Sequence, residues 1–268
     1  MTVRTRPEVK RRLAGVFAHP DDDAYVLGGT LLLHPNEIEL SIVFATSGEA
    51  GPISDPSLAT RATLGAVRER EQAAYLGEIG YLSARVEYLH HPDYYLPDVS
   101  HERLVDEIES LLRQVQPQVV VTFGPDGLTS HHDHICVGQA ATEAFHRCRM
   151  RNASAEGAFA RLYYAALTRT DVDRFYSEVR ARNFDYGEEG ALFDITGVPD
   201  EDIAVRLDTS SVRDRKWAAI MQHRTQMIEH ERIPESLRWI HLDSECFVQA
   251  HPKAASDVAR ADLLDDLV

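Results

Sequence analysis

The chain has 268 residues, 44% of them hydrophobic, which is enough for one large domain with a full core or two small ones. Its 43 acidic against 28 basic residues give a net charge of −15, a balance that repels nucleic acid and anionic membranes. No run approaches the roughly 18 to 20 apolar residues of a membrane span, and three widely spaced cysteines (Cys136, Cys148, Cys246) give neither a disulfide framework nor a zinc-finger spacing.

In chain order, the apolar run Leu13 to Ala18 is too short for a signal peptide and reads as a first buried strand, so the expected compartment is the cytoplasm. The basic clusters Lys10-Arg11-Arg12 and Arg147 to Arg151 read as surface flanks of structured elements. The pattern then predicts a helix over 24–33, a strand over 38–46, a helix over 64–79, a strand over 84–89 and an amphipathic helix over 101–115. A β-branched strand over 117–124, a helix over 135–148 and a strand over 161–167 follow. This alternation predicts an α/β, Rossmann-like fold: a mainly parallel sheet, helices on both faces, and a site at the strand carboxyl ends. The charged stretch 168–204, with Tyr176, Phe184, Tyr186 and Phe193, reads as an excursion over that site, a lid within a single 1–268 domain. A short strand over 205–207, a helix over 211–230 and a polar tail over 252–268 complete the reading.

Two ionisable clusters sit just after predicted strands. Ala18-His19-Pro20-Asp21-Asp22-Asp23 follows the first, and Ser130-His131-His132-Asp133-His134 follows the fourth. In a parallel sheet both loops open on one face. His19 and Asp22, three residues apart around a stiffening proline, can aim at one ion, and His134 closes a set of three ligands with an open position. A divalent ion so held brings the pKa of a bound water to about 7. Asp21 beside it suits a general base, His131 an oxyanion-stabilising group, and Asp133 a partner that orients a histidine. Asp23 reads as the N-cap of the helix that follows. Each motif alone is weak, since a chain with 13 histidines shows His-x-x-Asp by chance; the two together, each after a buried strand, are not.

These residues resemble the PIG-L/LmbE family of N-acetyl amine deacetylases, with its His-Pro-Asp-Asp-Glu and later His-x-Asp-His motifs. The likeness spans roughly residues 12–250 and extends to Arg68, Glu71, Ala74 and Ile79-Gly80, to His91-Pro92-Asp93, and to RKWAAIMQHRTQ at 215–226. It implies catalytic zinc, exchangeable with iron, on His19, Asp22 and His134. It implies Asp21 as base, His131 at the oxyanion, and Arg68 and Asp93 facing the acyl group or sugar hydroxyls. The partner it implies is a small N-acylated amine, an amino sugar or thiol-sugar conjugate, with an oligomer open. Without the family, Arg68 and Glu71 read as an exposed one-turn ion pair. Two positions depart: Asp23 replaces the motif's glutamate, and Thr129 stands where some members carry a tyrosine, so a phenol would have to come from Tyr94, Tyr95 or the 168–204 stretch.

Two alternatives stay open at this level. Two histidines and a carboxylate also form the facial triad of non-haem Fe(II) oxygenases, although the α/β pattern and Asp21 count against that. A non-catalytic metal-binding protein is the other. Gly28-Gly29 lies inside a helix pattern and is a weak dinucleotide signal.

Overall fold

The computed structural model describes residues 10–151, 157–182, 195–227, 234–253, 260–265 and 267. Strand β1 (Arg11–Phe17) is fully buried from Leu13 onward, on both faces of the pleat, which requires cover on both sides. It pairs in parallel with β2 (Ile38–Phe44) on one edge and with β4 (Val119–Phe123) on the other. Outward from these lie β3 (Arg85–Tyr88), parallel to β2, and β5 (Arg161–Ala166), parallel to β4. Of the last strands, β6 (Val205–Asp208) runs in the direction of β1 to β5, whereas β7 (Ser244–His251) lies reversed between β5 and β6, antiparallel to both. The order is β3-β2-β1-β4-β5-β7-β6. The chain winds one way from β1 and the other way from β4, so the crevice between their carboxyl ends is the topological switch point.

The helices explain themselves locally. Helix α4 (His101–Val115) opens on Ser100, whose side chain accepts from Arg103 N, and buries Leu104, Val105, Ile108 and Leu112 on one stripe. It packs against α6 (His132–Arg151), and the pair lies on β1, β2 and β4. A second group joins α1 (Asp22–Val26), α2 (Gly28–Leu33), α3 (Leu64–Glu78) and α8 (Arg213–Ile220).

Several expectations change. The helix over 24–33 starts earlier and breaks at Leu27 into α1 and α2. The helix over 135–148 begins at His132, preceded by a distorted turn, α5 (Gly127–Ser130), in which Leu128 has φ 64°. The 168–204 excursion holds a regular helix, α7 (Arg169–Ala181), capped by Thr168. Its residues 183–194, with Phe184, Tyr186 and Phe193, lie outside the described residues. The helix over 211–230 is cut to α8, then a 3-10 turn at Arg224–Gln226; residues 228–230 lie outside the described residues. Helix α9 (Glu235–Leu242) and strand β7 were not anticipated. Residues 254–259, 266 and 268 of the expected tail lie outside the described residues as well.

Candidate metal centre and active site

Because β1 and β4 are neighbours, the turns that follow them meet. His19 Nδ1 lies 3.2 Å from His134 Nε2 and 3.7 Å from Asp22 Oδ2, and His134 Nε2 lies 3.3 Å from Asp22 Oδ1. Donors about 2.1 Å from a tetrahedral ion stand about 3.4 Å apart, so the His19 Nδ1–His134 Nε2 and His134 Nε2–Asp22 Oδ1 spacings fit one divalent cation. Nitrogens of His19, His131 and His134 also lie within 4.8 Å of one another, as do donor atoms of His19, Asp93 and Asp133.

Each of the three residues has one polar atom held from behind and another turned inward. His134 Nδ1 meets Gly127 O at 3.0 Å, a contact that requires a proton on Nδ1 and leaves the Nε2 lone pair free. Gly127 has φ 65°, and a Cβ there would come within 2.8 Å of Ile135 Cγ1. His19 Nε2 meets Asp93 Oδ1 at 3.0 Å and Asp133 Oδ2 at 3.4 Å, which leaves its Nδ1 for an ion. Asp22 Oδ2 accepts from Ala18 N and His19 N at 3.1 and 2.8 Å, which turns Oδ1 toward His134.

The charges match this geometry. Burial alone would push His19 down, but hydrogen bonds to Asp133 and Asp93 and the charge of Asp22 overcome it and raise the imidazole to about 10. Asp22 opposes its own desolvation through the charge and hydrogen bond of His134 and falls below the carboxylate range. Carboxylate oxygens of Asp22, Asp93 and Asp133 lie 3.7, 3.0 and 3.4 Å from the His19 ring nitrogens. The donor set of two imidazoles and a carboxylate fits zinc or iron(II).

Asp21 follows in strained backbone, with φ 113°. Burial, tempered by Arg68, pushes its carboxyl up to about 6. Arg68 is buried, not exposed: Nη2 donates to Asp21 Oδ2 at 3.0 Å and to Pro20 O at 2.6 Å, and Nη1 to Gly48 O at 2.9 Å. Gly48 has φ 67°, and a Cβ there would sit 2.3 Å from that Nη1. The one-turn pair of Arg68 with Glu71 is thus replaced. Glu71 instead accepts from Thr225 N and Oγ1 at 2.9 and 2.6 Å, tying α3 to the 3-10 turn at Arg224–Gln226. Asp23 is likewise no solvated cap. It is fully buried inside α1, accepts from Gln72 Nε2 at 2.9 Å, and is raised to about 8 by desolvation.

His131 stands just before α6, with its ring 4.9 Å from that of His19. The Asp133 backbone N–H donates to its Nδ1 at 3.1 Å, which puts the ring proton on Nε2. Burial first, then the charges of His19 and His134, lower it to about 4, so it is a neutral donor. Asp133 is fully buried and also accepts from Tyr94 N and Leu96 N at 2.7 and 3.1 Å. Asp93 is buried against His19, and its Oδ2 accepts from Ala50 N at 2.7 Å; in this structure it faces a histidine rather than an open pocket. Thr129 lines a cavity beside Asp22 and His134, together with Tyr25. Tyr94 is largely exposed, with its ring 6.0 Å from that of His131.

Sequence reasoning missed Tyr25 and the pair Lys216 and Glu245. Tyr25 is three residues past Asp22, on the same face of α1, a spacing that offered a signal. Glu245 had none: it reaches from β7 to accept from Gly29 N, Thr30 N, Thr30 Oγ1 and Lys216 Nζ at 2.6 to 2.8 Å.

Residues 15–145 match the PIG-L family, described as GlcNAc-PI de-N-acetylase. The chain is 30% identical, over 79% of its length and 84% of the relative's, to the 1D-myo-inositol 2-acetamido-2-deoxy-alpha-D-glucopyranoside deacetylase of Saccharomonospora viridis. In fold it is similar to the N,N'-diacetylchitobiose deacetylase of Pyrococcus horikoshii, with TM-score 0.62, 21% identity, and 96% of this chain and 89% of that one covered. It is also similar to the 4-carboxy-2-hydroxymuconate hydratase of Pseudomonas putida, with TM-score 0.60, 20% identity, and 93% and 100% covered.

Proposed function

This chain belongs to the PIG-L family and is a metal-dependent deacetylase, and from that premise we propose that it hydrolyses the amide of an N-acylated amino sugar or sugar conjugate. The observation that carries the reading is the trio His19, Asp22 and His134, each with one donor atom aimed inward and the other fixed by a partner. Bound there, zinc would polarise the scissile carbonyl and acidify a water.

The protein's own groups do the rest. Asp21, raised to about 6, accepts the water's proton near neutral pH and returns it to the leaving amine. Arg68 holds that carboxylate in place through its forked contacts to Pro20, Gly48 and Asp21. His131 donates from Nε2 to the oxyanion as a neutral imidazole, while Asp133 fixes its orientation through the backbone and braces His19 through the side chain. Asp93 joins that brace. The carboxylate beside the ligands favours hydrolysis over the oxygenase alternative, which needs no adjacent base.

The test is release of free amine by purified, metal-quantified protein from N-acetylglucosamine and its inositol glycoside, with a chelated control. Amine release that requires metal supports the reading. Metal-loaded protein that releases amine from no N-acylated amino sugar overturns it.

A further inference from the structure

A cavity of about 310 Å³ opens directly beside Asp22 and His134. This is within the range of small-ligand pockets. Its walls are apolar: Phe123, Leu128, Ala166, Phe175, Trp217 and Leu237 are among them. Its polar lining comprises Tyr25, Thr129, Ser244, His241, Glu245 and Arg238, whose guanidinium lies over the Trp217 ring at 4.5 Å. Glu245 is bound to Lys216 and the α2 amides, and the His241 ring lies tilted against Phe175 with ring centroids 4.7 Å apart.

The other flank of the centre is different in kind. There the Asp21 carboxylate and the Arg68 guanidinium meet at 3.0 Å. An amide held at the centre sends its two substituents apart. A sugar pushed against these mostly apolar walls would lose more hydrogen bonds to water than the few polar groups there return, at a cost an alkyl chain does not meet.

We propose that the apolar cavity receives the acyl side of the substrate, and that the enzyme prefers medium-length or aryl acyl groups to acetyl. The inference rests on the hydrolase reading above and names the substrate class of that same site. The balance is that of any amide hydrolysis: water adds at the acyl carbon, the C–N bond breaks, and the products are a carboxylate and the protonated amine.

The experiment compares glucosamine carrying acetyl, butyryl, hexanoyl, octanoyl and phenylacetyl groups, using zinc-loaded protein. Both kcat/KM and the Kd from calorimetry are measured. Burial of each methylene is worth about threefold, so hexanoyl should show at least a tenfold higher kcat/KM and at least a tenfold lower Kd than acetyl. Ala166→Phe, which narrows the cavity, should erase the chain-length preference in both kcat/KM and Kd. Ala165→Leu is a milder plug should the first variant fold poorly, and the wild-type series alone already decides the matter.

Equal or falling kcat/KM with chain length overturns the inference and leaves the deacetylase reading standing. A gain from an octyl glycoside of N-acetylglucosamine, with none from longer acyl groups, also overturns it, because the cavity then serves the amine side. Chain-length-dependent binding lost in Ala166→Phe, without hydrolysis of any compound, upholds the cavity assignment and sinks the hydrolase reading instead.

Discussion

Asp21 and Asp22 are adjacent and chemically identical, yet their surroundings push them apart. Asp22 is held low by His134 and His19, whereas burial lifts Asp21 to about 6. Two separable outcomes follow. Asp21→Asn should keep metal stoichiometry and lower kcat by about 10² to 10⁴. His134→Ala should weaken metal binding at least about 100-fold, read by competition with a chromogenic chelator. Unchanged turnover in Asp21→Asn would refute the base assignment. Arg68→Met removes the cation that counters Asp21's desolvation, so that carboxyl should rise further. Since the base works ionised, the acid limb of the kcat/KM profile should then move to higher pH; a shift downward would contradict the pairing. The candidate ligand residues stood out by spacing because His-x-x-Asp and His-x-x-His follow buried strands. Arg68 as partner of Asp21 did not, since a contact across 47 positions leaves no periodic trace.

Helices betray their function when their inner face is polar. The buried stripe of α3 carries Arg68, Glu71 and Gln72 beside Leu64, Tyr75 and Leu76. Amphipathic pattern reading turns such residues outward, and that is why it misassigned them. The long, strongly periodic α4 was legible to the residue. The 3-10 turn at Arg224–Gln226 was not, because the pull of Glu71 on Thr225 is tertiary. Helices α7 and α9 share a small cluster of Phe175, Val179, Leu237 and Ile240, with His241 against Phe175. Burial lowers His241 to about 4. Its folded pKa lies below the unfolded value of about 6.5, so as pH falls below 6.5 the unfolded chain takes the proton first and stability is lost toward pH 4. His241→Phe should remove roughly 2 kcal/mol of the stability difference between pH 7 and 4.5, measured by urea unfolding at both. An unchanged pH dependence would count against a buried neutral ring.

Across the whole molecule, the late antiparallel pair closes the fold back onto its beginning. Glu245 of β7 supplies the acceptor that the first amides of α2 lack and is itself paired with fully buried Lys216 of α8 at 2.7 Å. Lys216→Met leaves that carboxylate facing the interior with one cation fewer. It should cost about 3 to 5 kcal/mol in denaturant unfolding; a loss below 1 kcal/mol would show the pair to be dispensable. Nothing in SECFVQAH announced this role, because the partners lie more than 200 positions away. The doubly wound sheet itself was legible from alternating runs, whereas β7, following a short α9, was masked by polar neighbours. A hydratase and a deacetylase share this architecture with the chain, so the sheet says where chemistry happens and the side chains say which.

The ion-gripping residues all come from positions 19 to 134, while much of the neighbouring apolar wall comes from 165 to 246. Selectivity can therefore drift through the lining of the second half while the cutting groups stay fixed, provided that any graft behind α6 keeps Lys216, Thr225 and Glu245, which brace the first half.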